Sequence, residues 1–295
     1  MIILKAKPLV EKTEALLAAA IANFPSQPRL DVILIGKDPA SKLYVDRKQK
    51  AAEAIGIHVN LHQLAETVSQ QDLENIIQHL NQDIDCNGIL IQLPLPENYI
   101  VSKILNLVDP AKDVDGFHPF NKGCHLENSD SLIPCTALGV IRLLNFYQIE
   151  LEGKNVLMIG RSSIVGQPLA IECLHKNATI TIAHSKTKNI EHLIRESDII
   201  ISAIGKKNIL SWDLLQSHQI LIDIGIHRLD DQKITGDFGR KPENKIVAAY
   251  TPVPGGVGAM TVNTLMYNIV KAYCLQKNLS DQWLHLAKTI DKIKY

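Results

Sequence analysis

The stretch "NVLMIGRSSIVGQPLAIECLHK" at residues 155–176 decides the fold. Its opening run predicts a buried strand over 155–159, and the residues from 164 to 176 predict a helix. Gly160 ends the strand, and Gly166 lies in the first turn of the helix. Backbone N–H groups at a helix start favour an anion, and glycine allows the close approach of a pyrophosphate. The alternative is that the turn serves only packing, as in many α/β proteins.

The same alternation of strand and helix runs through most of the chain. Runs rich in β-branched residues predict strands at 30–36, 57–64, 88–96, 178–183, 198–203 and 219–224. Helices are expected at 15–24, 40–56, 70–82, 98–108, 136–147, 189–196, 261–276 and 281–293, with irregular loops at 109–123 and 225–258. This pattern predicts an α/β protein of two domains, whose parallel sheets are covered on both faces. Ligands are expected in a cleft between the domains, beyond the carboxyl ends of the strands.

Composition limits the classes of ligand and partner. The 295 residues include 31 Lys and Arg against 31 Asp and Glu, a balance that gives no indication of a nucleic-acid partner or an anionic membrane surface. Five widely spaced cysteines without a C-x-x-C pair indicate reduced thiols and no metal site. No apolar stretch approaches the ~20 residues of a membrane span. We therefore expect a soluble, cytoplasmic protein.

The segment after the second predicted strand of this series indicates which dinucleotide binds. An NAD-selective site usually places an acidic residue about 20 residues beyond the glycine loop, where it holds the ribose 2′-hydroxyl. Here "TITIA" leads directly into "HSKT" at 184–187, with no acid before Glu191. Arg161, Ser185 and Lys186 suit a 2′-phosphate instead, which predicts NADP. The alternative is a solvated arginine beside a serine that caps the helix.

A lysine occupies the apolar face of the predicted helix 40–56. A helical wheel places Lys48 in one stripe with Val45, Ala51, Ala52 and Ile55, one turn from Tyr44, whereas Lys50 lies on the polar face. An inward-facing lysine can extend its amine to solvent, pair with a carboxylate or lose its proton readily. Gln92, Asp113 and Asp115 also occur near predicted strand ends. These groups could converge on a polar ligand.

Seven sequence blocks together resemble the methylenetetrahydrofolate dehydrogenase/methenyltetrahydrofolate cyclohydrolase (FolD) family. They are "DPASKLYVDRKQKAAEAIGI" (38–57), "GILIQLPLP" (88–96), "KDVDGFHP" (112–119), "IPCT" (133–136), "GRSSIVGQP" (160–168), "HSKT" (184–187) and "TPVPGGVGAMT" (251–261). The blocks follow the family order across nearly the whole chain. The resemblance implies NADP-dependent oxidation of 5,10-methylenetetrahydrofolate to 5,10-methenyltetrahydrofolate, then hydrolysis to 10-formyltetrahydrofolate.

The same resemblance implies roles for individual residues. Tyr44 would stack on the aminobenzoate ring, Lys48 would be the catalytic lysine with Gln92 as its hydrogen-bonded neighbour, and Asp115 would anchor the pterin. The substrate side would also include Pro254, Gly255 and Gly256. The cofactor contacts would be Gly160, Arg161, Ser162, Ser163, Val165, Gly166, Ser185 and Ile226. Family members are typically homodimers that act in one-carbon metabolism.

The chain is expected to divide into two domains, and it departs from the family pattern at four positions. We expect a folate-binding catalytic domain over 1–122, completed by helices within 262–295, and a Rossmann-like NADP-binding domain over 123–261. Four positions depart from the usual pattern, namely Ala137, His227, Phe238 and Ala259. Two alternatives remain: a dehydrogenase without cyclohydrolase activity, and a catalytically silent NADP-binding regulatory protein.

Overall fold

The computed structural model describes residues 1–206, 210–228, 234–239 and 241–295. Part of the loop expected at 225–258 therefore lies outside the described residues. The strands are β1 (Ile2–Ile3), β2 (Arg29–Ile35), β3 (His58–Leu64), β4 (Gly88–Ile91), β5 (Asn155–Ile159), β6 (Thr179–Ala183), β7 (Ile199–Ser202), β8 (Ile220–Asp223), β9 (His227–Arg228), β10 (Ile234–Thr235) and β11 (Ala249–Tyr250). The helices are α1 (Lys7–Ile21), α2 (Pro39–Ala54), α3 (Gln70–Gln82), α4 (Val101–Leu105), α5 (Pro119–Leu126), α6 (Cys135–Phe146), α7 (Gly166–His175), α8 (Ile190–Arg195), α9 (Val257–Gln276) and α10 (Ser280–Asp291). A short 3-10 turn covers Trp212–Leu214.

The chain forms two compact units. The six-stranded unit comprises Met1–Glu11, Thr136–Thr261 and Ile293–Tyr295, and the three-stranded unit comprises Lys12–Cys135 and Val262–Lys292. The parallel sheets confirm the predicted α/β class. Among the described helices, none combines the length and the apolar character needed to cross a membrane.

The six-stranded unit contains a parallel sheet in the order β1-β11-β8-β7-β5-β6. Alternate residues of one strand enter different apolar clusters: Val156 and Met158 join one, and Leu157 and Ile159 join the other. Because neighbouring side chains on a strand point to opposite faces, both faces of this sheet are buried. The residues of β5 and β7 are fully buried for the same reason, apart from Asn155 at the start of β5.

The three-stranded unit is built on the parallel sheet β3-β2-β4. Ile33, Ile89 and Ile91 pack with α3 residues Leu73 and Ile77 in one apolar cluster. A buried lysine fixes the end of α3, since the Lys112 amine donates to the carbonyl oxygens of Leu80, Asn81 and Asp83 at 2.7–2.9 Å. These carbonyls lie at the helix C-terminus, where a cation is favoured.

The units differ from the domain limits expected from sequence. The expected limit at 122/123 falls inside α5, whose residues all belong to the three-stranded unit. The first eleven residues belong to the six-stranded unit, because β1 pairs in parallel with β11. Tyr295 also belongs there, since its backbone N–H donates to the Phe146 carbonyl at 2.9 Å and its ring stacks on Tyr147.

Candidate active site

Lys48 is held on the inner face of α2. The helix begins with Asp38 as its cap, whose carboxylate accepts a hydrogen bond from the Ser41 backbone N–H at 2.8 Å. Val45, Lys48 and Ala52 are buried along one stripe, and Lys48 retains only 7% exposure. Lys50 is exposed. The structure thus confirms the orientation predicted from the helical wheel.

The Lys48 amine meets two of the predicted partners. It donates to the Gln92 side-chain oxygen at 3.2 Å and lies 5.8 Å from the centroid of the Tyr44 ring. The Gln92 amide nitrogen donates to the Leu93 carbonyl at 2.7 Å, which directs the amide oxygen toward the lysine. Gln92 directly follows β4, and its backbone N–H donates to the Ile33 carbonyl at 2.9 Å. The amine is therefore held on two regular elements, helix α2 and the sheet.

Asp115 places a carboxyl group within the electrostatic influence of Lys48. Burial raises the pKa of its carboxyl above the ordinary value, while the positive charge of Lys48 and the neighbouring Cys135 thiol act in the opposite direction. Burial and the Asp115 charge also raise the pKa of Cys135, so its thiol stays protonated. It donates to the Val114 carbonyl oxygen at 3.3 Å. Cys135 itself is fixed by Asn268 on α9, whose amide donates to the sulfur at 3.5 Å. The sequence alone assigns no role to Cys135 or Asn268.

Asp113 performs a different task from Asp115. Its buried carboxylate accepts hydrogen bonds from the backbone N–H groups of Phe117 and His118 and from the Asn121 amide, at 2.8–3.1 Å. Burial raises the pKa of this carboxyl to about 6. With its acceptors occupied by its own loop, Asp113 shapes the turn that follows Asp115.

The glycine loop of the six-stranded unit lies at the carboxyl end of β5. A methyl group on Gly166 would lie 2.4 Å from the Gly160 carbonyl oxygen, and one on Gly160, whose φ is +126°, would lie 2.5 Å from the Ala203 carbonyl oxygen. Both positions therefore require glycine for close backbone packing. This packing holds the start of α7 against the edge of the sheet.

The donors around this loop fit a phosphate. The backbone N–H groups of Ser163 and Ile164 have no hydrogen-bond acceptor among the described residues. Ser162 is engaged, since its hydroxyl accepts from the N–H groups of Val165 at 3.2 Å and Gly166 at 3.3 Å. The Ser162 hydroxyl therefore binds N–H groups at the start of α7, where the alternative interpretation places a serine, although the N-cap residue itself is Val165. The side chain of Arg161 is exposed.

The 184–187 turn leaves the sheet beside the glycine loop. β5 and β6 are neighbours, and Ile159 pairs with Ala183 at their carboxyl ends. The turn is closed by the Thr187 hydroxyl, which accepts from the His184 N–H at 2.9 Å, and both Ser185 and Lys186 are exposed. Backbone N–H groups without acceptors and the Arg161 side chain therefore follow β5, and Ser185 and Lys186 follow the adjacent strand β6.

The remaining predicted residues also lie in the six-stranded unit. Ile226 follows β8 and is 46% exposed. Pro254 and Gly255 precede α9, and the Gly255 carbonyl accepts from the Ala6 N–H at 2.9 Å. A methyl group on Gly256 would lie 2.7 Å from the Pro252 carbonyl oxygen, so the loop is tightly packed.

Comparisons with known proteins match both the N-terminal and the C-terminal parts of the chain to one family. Residues 4–115 match the sequence model of the tetrahydrofolate dehydrogenase/cyclohydrolase catalytic domain. Residues 134–277 match that of the NAD(P)-binding domain of the same family. The Bifunctional protein FolD of Oceanobacillus iheyensis is 45% identical over 254 residues, which cover 86% of this chain and 88% of that relative.

Solved structures show the same relationship. The bifunctional FolD methylenetetrahydrofolate dehydrogenase/cyclohydrolase of Campylobacter jejuni has a TM-score of 0.90 at 41% identity, covering 95% of this chain and 99% of that one. The Trypanosoma brucei enzyme, solved with NADP cofactor and inhibitor, has a TM-score of 0.88 at 31% identity, covering 95% and 98%. On these grounds the chain belongs to the tetrahydrofolate dehydrogenase/cyclohydrolase family.

Proposed function

We propose that this chain is a bifunctional enzyme of one-carbon folate metabolism. It oxidises 5,10-methylenetetrahydrofolate to 5,10-methenyltetrahydrofolate with NADP+ and hydrolyses that product to 10-formyltetrahydrofolate. The observation that carries the proposal is the buried Lys48 amine, which lies 3.2 Å from Gln92 and 5.8 Å from the Tyr44 ring. A silent binding protein would have no need of a buried amine held in this way.

The three-stranded unit supplies the folate site. The half-buried Tyr44 ring offers a face on which the aminobenzoate ring of the folate stacks. Asp115 accepts hydrogen bonds from the N–H groups on the pterin edge, and the nearby Lys48 charge favours its ionised form. The folate is therefore held at both ends of its ring system, with Lys48 and Gln92 nearby.

The two reactions make different demands on these residues. Loss of a hydride leaves a cation shared by two folate nitrogens, so this step needs orientation more than an acid or a base. Hydrolysis adds water to the methenyl carbon, and the added water must lose protons as a carbon–nitrogen bond breaks. Lys48 moves these protons, and Gln92 keeps its amine directed at the reacting carbon.

The six-stranded unit supplies the cofactor site. When bound, NADP+ accepts the hydride. Its pyrophosphate is held by the open N–H groups of Ser163 and Ile164 at the start of α7, beside Gly160, Val165 and Gly166. Arg161 and Ser185 hold the 2′-phosphate, and Lys186 adds a second cation. Ser162 keeps the helix start in place.

Two further segments complete the proposed site. Ile226 contacts the cofactor, whereas Pro254, Gly255 and Gly256 form a loop that contacts the folate. The close packing at Gly256 gives this loop one defined conformation.

A single coupled assay tests the proposal against its two alternatives. Absorbance of the methenyl species is followed from methylenetetrahydrofolate at varied NADP+ concentrations. The proposed enzyme forms the methenyl species and then consumes it. Accumulation without decay would identify a dehydrogenase alone, and no formation, with NADP+ still binding, would identify the regulatory protein.

We further infer a cytoplasmic homodimer. The outer edge of β3 pairs with no other strand in the described part of the chain, and Leu61 on it is 39% exposed. An open edge of this kind is a template for pairing with a second strand. All five cysteines carry free thiols, as in a reducing compartment. Light scattering coupled to size exclusion should give twice the 32.7 kDa of one chain, whereas a monomer would refute the dimer.

A further inference from the structure

Two buried carboxylates lie at the carboxyl edge of the six-stranded sheet. Asp223 ends β8 opposite Ser202, which ends the neighbouring strand β7. Asp237 lies two residues beyond β10 and is 0% exposed, and Asp223 is 4% exposed. Their oxygens tie together three segments that are distant in sequence.

The short strands β9 and β10 pair with each other in antiparallel fashion, and Asp223 fixes the segments before and after this pair. Its carboxylate accepts from the backbone N–H groups of Gly225, Asp237 and Phe238, at 2.9–3.1 Å. Burial and the neighbouring charge of Asp237 raise the pKa of Asp223 to about 6. The segment after β8 and the segment after β10 therefore share one acceptor.

Asp237 connects these segments to the end of β7 and to a histidine. One oxygen accepts from the Ser202 hydroxyl at 2.7 Å and from the Ile204 N–H at 2.9 Å. The other lies 2.8 Å from Nε2 of His227, whose side chain is 14% exposed. His227 is thus the side chain that links the start of β9 to the Asp237 carboxylate.

Two glycines leave the space that the carboxylates of Asp223 and Asp237 occupy. A methyl group on Gly225 would lie 2.2 Å from an Asp237 oxygen, and one on Gly236 would lie 2.2 Å from an Asp223 oxygen. Each carboxylate fills the space that a side chain would otherwise take. The backbone between Gly225 and His227 is consequently fixed at both ends, with the exposed Ile226 between them.

The strand order indicates which end of the bound dinucleotide lies over the segment that carries Ile226. A 2′-phosphate at β6 and a pyrophosphate at β5 place the adenosine end of the dinucleotide on that side of the sheet. The opposite end of the ligand then extends across β7 toward β8, since those strands follow next in the sheet. The nicotinamide end is therefore expected over the segment that carries Ile226.

We propose that His227 is a positioning residue for the nicotinamide end of the cofactor. By its contact with Asp237 it holds residues 224–228, and with them Ile226, at the carboxyl edge of the sheet. This inference rests on the proposed binding of NADP to this unit. His227 itself does not contact the ligand in this arrangement.

The test measures dinucleotide binding by titration calorimetry in His227→Ala, His227→Gln and His218→Ala. Losing a charge-assisted hydrogen bond that orders the segment should raise the dissociation constant about tenfold or more. The factor should be equal for NADP+ and NAD+, because the 2′-phosphate lies at the other end of the ligand. The glutamine amide in His227→Gln can still donate to Asp237, so this variant should recover most of the affinity. His218→Ala, at an exposed histidine of the same unit, should leave the affinity unchanged.

Cyclohydrolase activity measured from methenyltetrahydrofolate without dinucleotide should stay at the parent value in all three variants. Parental affinity in His227→Ala would overturn the positioning role, as would an equal loss in His227→Gln. If His227→Ala does not fold, amide hydrogen exchange of residues 224–228 is measured in the parent and in His227→Gln. NADP+ should slow this exchange in both proteins. Exchange that NADP+ leaves unaltered would overturn the inference. Failure of the parent to bind NADP+ would instead refute the proposed function.

Discussion

At the scale of single residues, a substitution of Lys48 should separate the two reactions of the proposed enzyme. Lys48→Met keeps the length and apolar stem of the side chain but removes the amine, so the packing of α2 should survive. General acid–base assistance contributes about 10²–10⁴-fold, so hydrolysis of methenyltetrahydrofolate should slow by at least about 10²-fold. Hydride transfer should continue at a reduced, measurable rate. Stopped-flow absorbance of the methenyl species measures both.

Lys50→Met is the matched control, because Lys50 is exposed on the other face of the same helix. It should spare both reactions. Parental hydrolysis in Lys48→Met would show that the buried amine only packs and takes no part in proton transfer.

The proposed role of Arg161 is to discriminate between the two dinucleotides. Arg161→Ala should weaken NADP+ far more than NAD+, because only NADP+ carries the 2′-phosphate. A charge-assisted hydrogen bond contributes about 1.5–3 kcal/mol, which corresponds to roughly ten- to more than a hundredfold in the dissociation constant. Titration of the variant with each dinucleotide measures the two losses, and equal losses would contradict the assignment.

Asp115 should give folate binding a dependence on pH. Since burial raises its pKa, the carboxylate takes up a proton at a higher pH than an ordinary aspartate, whose pKa is about 4. Folate affinity should therefore fall as the pH is lowered toward that raised pKa, and both activities should fall with it. Asp115→Asn should bind more weakly and lose this dependence. An acid limb that persists in Asp115→Asn would mean that another group titrates.

At the scale of elements, the junction of β5 and α7 depends on close backbone approach. Gly166→Ala would bring a methyl group to 2.4 Å from the Gly160 carbonyl oxygen, so the helix start must move. We expect a loss of about 1–3 kcal/mol in the free energy of unfolding, together with weaker NADP+ binding. Denaturant melts and dinucleotide titration measure the two effects.

Gly123→Ala is the control for this junction. Gly123 lies inside α5 with nothing within 4 Å of the position of the new methyl group. Alanine should there stabilise the protein by about 0.5–1 kcal/mol, because it loses less conformational entropy in a helix than glycine does. Gly166→Ala with parental stability and NADP+ affinity would refute the packing argument.

The elements that can be predicted from sequence are those with a strong local pattern. The predicted bounds of β5 and α3 equal the observed ones, since one is a continuous apolar run and the other carries a serine cap and helical periodicity. α5 escapes prediction because it follows a segment rich in Asp, Pro and Gly that predicts a loop. The two-residue strands β1 and β11 have no pattern of their own and exist only through pairing with each other and with β8.

The candidate site is predictable to a similar degree. The inward orientation of Lys48 follows from the helical wheel. The engagement of Ser162 with the start of α7, and the support that Cys135 and Asn268 give to Asp115, depend on contacts between residues far apart in sequence or on the exact turn geometry. Such contacts cannot be predicted from the periodicity or the composition of the sequence.

At the scale of the whole molecule, the first residues of the chain stabilise a sheet made mostly of residues beyond 150. Leu4 is 0% exposed within the apolar cluster of the six-stranded unit, and its backbone N–H donates to the Tyr250 carbonyl at 2.8 Å. Leu4→Ala should lower the free energy of unfolding by about 2–5 kcal/mol, because it leaves a cavity in that cluster. Circular dichroism in increasing denaturant measures the loss.

Ile3→Ala is the neighbouring control, at a side chain that is 38% exposed. It should cost about 1 kcal/mol or less. Equal unfolding midpoints for Leu4→Ala and the parent would show that the N-terminal segment adds nothing to the stability of the sheet.

The pairing of β1 with β11 determines when the six-stranded sheet can form during synthesis of the chain. A ribosome adds about 5–20 residues each second, so β1 waits roughly 10–50 s before Ala249 and Tyr250 emerge as its partners. The other unit waits longer, since Asn268 must donate to the Val114 carbonyl and Lys271 must pair with Asp130. The three-stranded unit therefore cannot close on the nascent chain before α9 has left the exit tunnel. Until then, apolar residues of the unfinished units stay exposed to solvent. The order of the strands along the chain therefore determines how long a chaperone must shield these residues.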